Sequence, residues 1–136
     1  MQSDYLLRQL EQMMQALVSL IRKLTGMKDP NEEEVRTTTD AILKEQLNLT
    51  LSDVLKIQNE DIADNIIALH KLNAQNAELL ADILVINAKV EKNSETSIGL
   101  LRRALNLYEW SDKKGNTYSS GRIQKIDEIK TTLKTW

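Results

Sequence analysis

Cysteine is absent, which excludes a disulfide framework, a cysteine-based zinc site and a thiol nucleophile. Phenylalanine is absent too, so Leu, Ile, Val, Ala and Met must build the core. Four glycines and one proline in 136 residues are fewer than ordinary usage supplies. Both residue types punctuate helices and turns, so their scarcity predicts long helices joined by short connections. A formal net charge of −2 gives no electrostatic reason to expect nucleic acid. No segment approaches the roughly 20 apolar residues that span a bilayer. Asp4, Arg8 and Glu11 interrupt the first apolar pattern, and no cleavage site follows a clean hydrophobic run, so no signal peptide is expected. The expectation is a cytoplasmic, soluble chain with no nucleic-acid and no membrane partner.

What the chain has instead is apolar residues at helical spacing. Leu6, Leu10, Met13, Leu17, Leu20 and Leu24 recur at steps of three and four and form one continuous stripe over residues 1–25. Leu7, Met14, Val18 and Ile21 form a second, adjoining stripe. A face that wide must be covered, either by the rest of the chain or by a partner. The length fits one helical domain, residues 1–136. Charge is uneven along it: residues 1–68 hold 7 Lys/Arg against 12 Asp/Glu, and residues 69–136 hold 11 against 8. That asymmetry either orients a partner or a second copy, or is a solvated surface with no single target.

Local signals divide the chain into five to six helices. The first runs over residues 3–25, capped by Ser3 and stopped by Gly26. Asp29 caps a second helix that carries Pro30 in its first turn and ends near Leu47, with Val35, Ile42, Leu43 and Leu47 inward. A short third helix follows Thr50, where Thr50 and Asp53 have capping-box spacing. Residues 59–90 form one helix or two, with Ile62, Ile66, Ile67, Leu69 and Leu72 apolar. A boundary is placed near Leu72–Asn73, where Asn73, Gln75 and Asn76 make a polar gap. Asn93 or Ser94 caps the next helix, Lys113 to Asn116 form a loop, and Ser119 or Ser120 starts the last helix. No stretch alternates with a period of two, so the fold class is all-α, built from antiparallel helical hairpins.

Leu100 to Tyr108 resembles the second helix of a tetratricopeptide repeat, with Ala104 as the small residue that lets helices approach. That resemblance implies tetratricopeptide-like stacking over residues 74–136, although the Trp, Gly and terminal Pro that mark the repeat are missing. The opening Asp4 to Gln12 and the distal Lys114 to Ser119 are similar to an uncharacterised family of small bacterial all-helical proteins. This second resemblance implies a bacterial source and a fold, but no site.

Candidate chemistry is sparse. His70 is the only histidine, with Asp61, Asp64 and Asn73 as its local polar neighbours, and it reads as a partly buried structural residue. No Glu-x-x-His, HExxH, glycine-rich phosphate loop or GxSxG elbow occurs, so no metal, cofactor or catalytic residue is assigned. Arg102 and Arg103 with Tyr108 and Trp110 read as rim packing rather than a stacking patch, with Trp110 covering a helix junction. The expected function is therefore a non-enzymatic protein-interaction or structural module. Its partner is another protein or a second copy, a homodimer included, met through Leu6, Leu10, Met13, Met14 and Leu17. The rival is a small-ligand binder or enzyme with a pocket between helices, using His70 or Arg102 and Arg103.

Overall fold

The computed structural model describes residues 2–115 and 118–136. Among these there is no strand, and the chain is all-α. Six α-helices run in order: α1 (Gln2–Thr25), α2 (Glu32–Leu47), α3 (Leu51–Lys56), α4 (Ala74–Val90), α5 (Ser94–Lys114) and α6 (Ser120–Lys134). A 3₁₀ turn (Asn59–Asp61) and a π-helical segment (Ala63–Ala68) connect α3 to α4, so a seventh helix joins the expected five to six. Periodicity does not reveal this segment, because a π-helix bonds at i→i+5 and closes here with Leu72 N–H on the Ile67 carbonyl at 2.9 Å. The turn ends at Lys71, whose φ of 54° lies in the left-handed region.

Residues 59–90 thus divide where the polar gap suggested. Asn73 is extended and its side chain accepts the Asn76 N–H at 2.8 Å, which starts α4. Thr50 and Asp53 form the expected reciprocal capping box on α3. Asn93 caps α5 and Ser119 caps α6. Two expectations need correction. Asn31, not Asp29, caps α2, accepting the Glu34 N–H at 2.8 Å from an extended backbone, whereas Asp29 has φ 47°. Ser3 lies inside α1 rather than at its cap position, since the helix already includes Gln2; its side chain, and Asn116 of the predicted loop, lie outside the described residues. Leu69, apolar in the sequence pattern, is 70% exposed, because the extra residue in the π turn rotates it off the buried face.

Helix α4 is the axis around which α1, α2 and α5 pack, while α6 packs chiefly on α5. It buries Ala77, Leu80, Ala81, Ile83, Leu84 and Ala88 on several sides, leaving Glu78 and Asp82 on a polar face. Helix α5 lies antiparallel to it: Ser97 near the start of α5 donates to the Ala88 carbonyl at 2.8 Å, and Ser111 near its end donates to the Ala74 carbonyl at 2.7 Å. Helix α2 is tied to α4 by Asn87, which donates to buried Thr39 at 2.9 Å. Helix α1 is held by Leu17, Leu20 and Leu24, all buried, and by Asn76, which donates to the Leu10 carbonyl at 3.1 Å. Each fully buried leucine contributes about 1.5–3 kcal/mol, so these three leucines anchor the C-terminal half of α1.

Arg103 holds α3 from a distance. Its Nε donates to the Val54 and Ile57 carbonyls, both at 3.0 Å, and Nη2 donates to Leu55 at 2.9 Å. A fourth bond, from Nη1 to the Gly99 carbonyl at 3.0 Å, fixes the guanidinium on its own helix. A positive group placed at the carbonyl end of a helix is favourable, and a helix of six residues needs such support. Gly99 leaves room for this approach, since a Cβ there would stand 3.0 Å from Leu55 Cδ2.

Candidate functional site

The stripe on α1 is covered for only part of its length. From Asp4 to Gln9 every residue is exposed, and at Leu10 a hydrogen bond from Asn76 ties the helix to the body. Tyr5 (61%), Leu6 (38%) and Leu7 (64%) are consecutive large apolar residues left in solvent. The five expected interface residues are therefore divided. Leu6 is exposed, Leu10, Met13 and Met14 are half-buried, and Leu17 is fully buried in the core. Leu17 is corrected accordingly: it is a core residue with no surface to offer.

Beside the exposed tip lies a groove of about 430 Å³, lined by Leu6, Leu10, Met13, Gln46, His70 and Lys71, with Gln9 and Gln12 at its edge. The sequence stripe and the lone histidine, 57 residues beyond Met13, thus meet in one place. Burial lowers the pKa of His70, so the imidazole is neutral at neutral pH. Its Nε2 is buried without a hydrogen-bond partner. No carboxylate is among the lining residues of this groove. A general acid–base pair on His70 has no second member there. Among the described residues, no group of three His, Cys, Asp or Glu side chains is placed to hold a metal ion.

The other polar candidates are dispersed. Arg103 spends its donors on carbonyls of α3 and α5, while neighbouring Arg102 is exposed. Tyr108 is buried and Trp110 shares a separate small groove with Ile62, Ala63 and Ile67. No arginine-and-aromatic platform is assembled from these four residues.

Sequence reasoning missed a second concavity, a cleft of about 610 Å³ among α4, α5 and α6 that reaches Ile21 of α1. At its floor the Tyr108 hydroxyl donates to Asp82 Oδ1, which also accepts Lys125 Nζ at 3.0 Å. Lys125 reaches Glu78 as well, at 3.1 Å, and Arg122 bridges Glu78 at 3.2 Å and Asp112 at 2.9 Å. Burial first, and then Asp82, push the Tyr108 hydroxyl far above the usual tyrosine range, so it stays protonated and donates. A signal for this cluster exists in the sequence. Glu78 and Asp82 stand four apart on one helix face, and Arg122 and Lys125 stand three apart on another.

No helix among the described residues is long and apolar enough to cross a membrane. Comparisons with protein-family models, curated proteins and solved structures return no match.

Proposed function

We propose that this chain is a non-enzymatic interaction module that self-associates through the N-terminal end of α1. The observation that carries the reading is the run Tyr5, Leu6 and Leu7, exposed on a helix whose remaining length is anchored in the core. Next to it, the groove of Leu6, Leu10 and Met13 against His70 and Lys71 provides a concave counterpart on the same chain. A projecting apolar knob beside a hollow with Leu6, Leu10 and Met13 among polar residues is an arrangement suited to two-fold pairing, since each copy then supplies both halves. The methionines suit such an adaptable surface. The π-helical segment that leads into His70 and Lys71 adds support, because such segments concentrate at functional positions.

Sedimentation velocity of the full chain and of Leu7→Glu tests the reading. Leu7 is 64% exposed, so its replacement leaves the helical circular dichroism unchanged. A dimer is expected for the parent chain. Two buried leucines lost per dimer raise its dissociation constant by about a hundredfold or more. A monomer at every concentration, or a dimer indifferent to Leu7→Glu, refutes the proposal.

A further inference from the structure

The cleft among α4, α5 and α6 lies apart from the tip of α1 and has a different chemistry. Its volume of about 610 Å³ falls within the range of small-molecule sites. Val85, Ile86, Leu101, Ile129 and Ile21 supply apolar walls, and Trp136 stands at the rim. Its polar floor is fixed: Asp82 is held by the Tyr108 hydroxyl and by Lys125, and Lys125 is held in turn by Glu78.

The charge balance of this floor selects the ligand. Lys125 and Arg122 serve three carboxylates, Glu78, Asp82 and Asp112. At the opposite end Glu91 and Glu32 share Arg36, at 4.0 and 3.2 Å. Glu128 adds a further carboxylate to the lining, and Lys89 a further cation. Among the residues that line the cleft, three carboxylates, Asp82, Glu91 and Glu128, face two cations, Lys89 and Lys125, an excess of one negative charge. An anionic ligand would add to this excess, whereas an ammonium relieves it. The cleft already accommodates one ammonium in this way, since Lys125 Nζ stands 5.7 Å from the centroid of the Tyr108 ring. Trp136 offers a second ring at the entrance.

We propose that this cleft binds a small amphiphilic amine, with a protonated nitrogen directed to the Asp82 and Glu128 carboxylates and an aromatic or branched apolar body against Val85, Ile86 and Ile129. This is independent of self-association through α1, and neither reading requires the other.

Three ligands with one indole body separate the alternatives: tryptamine (cationic), tryptophol (neutral) and indole-3-propionate (anionic). The full chain, labelled with ¹⁵N, has two indole N–H resonances, from Trp136 in the cleft and Trp110 in a different groove. Tryptamine is expected to shift Trp136 and leave Trp110 in place, binding about tenfold tighter than tryptophol, with indole-3-propionate weaker still. Glu128→Gln, an exposed substitution, is expected to weaken tryptamine by about threefold and leave tryptophol unchanged. Equal affinities for the three ligands, preference for the anion, no shift of Trp136, an equal shift of Trp110, or indifference to Glu128→Gln each overturns the proposal.

Discussion

Replacing Arg103 with methionine keeps an unbranched apolar stem and removes the guanidinium that binds the carbonyls of Val54, Leu55 and Ile57. These acceptors lie at the end of a six-residue helix, where the Val54 carbonyl also accepts the Ile57 N–H at 3.1 Å. A hydrogen bond to a charged group contributes about 1.5–3 kcal/mol. The two bonds shared by Nε count as little more than one, and water reaches part of the vacated space. A loss of about 3 kcal/mol is therefore expected, a large share of an ordinary domain stability. That corresponds to a fall in Tm of about 10 °C for a chain of this size.

Urea unfolding followed by circular dichroism measures the loss, with Arg102→Met as the control. Arg102 is exposed and adjacent, so its replacement should stay within about 0.5 kcal/mol. Arg103→Lys should fall between the parent and methionine, because one ammonium cannot span the carbonyls that the planar fork reaches. Equal losses for Arg102→Met and Arg103→Met would refute the assigned role.

Two further outcomes follow from the structure. Burial lowers the pKa of His70 below the ordinary value of about 6.5. The unfolded chain then binds a proton that the folded chain refuses, so stability is full above the ordinary value and declines as pH falls toward the lower folded one. A His70→Gln variant should lack that part of the acid-side decline in urea midpoints, and an imidazole titration at or above the ordinary value would contradict the burial. Arg122→Met leaves Asp112 and Glu78 without their buried guanidinium, which should cost about 3 kcal/mol. Amide exchange should report the loss first in α6, and uniform loss across all helices would argue against Arg122 as the fastening of that helix.

The features legible in the sequence were those with local causes. The Thr50–Asp53 box, the Asn73 boundary and the leucine spacing of α1 each rest on residues within a few turns of one another. The cap of α2 was misplaced because Asp29 and Asn31 are both good caps, and only the backbone distinguishes them. The exposure of Leu69 is not legible because a π turn inserts a residue that a fixed helical period cannot register. For the candidate interface, periodicity marks a face of α1 but not how far along it the body reaches. Leu17 and Leu6 therefore looked equivalent, although one is fully buried and the other is 38% exposed. The assignment of Arg103 to α3 and of Lys125 to Asp82 depends on contacts more than forty residues apart in the chain, which no local pattern encodes.

The central position of Ala74–Val90 has a consequence for how the molecule comes apart. A spindle gripped by neighbours from both earlier and later in the chain cannot melt alone. Its release strips each neighbour of a wall, so most of the helices should lose structure in one step. The last helix differs: it buries Ile126 and Ile129, packs chiefly on α5, and reaches the spindle through a cluster of paired charges. Without that two-sided grip it should open at temperatures where the remainder still holds together.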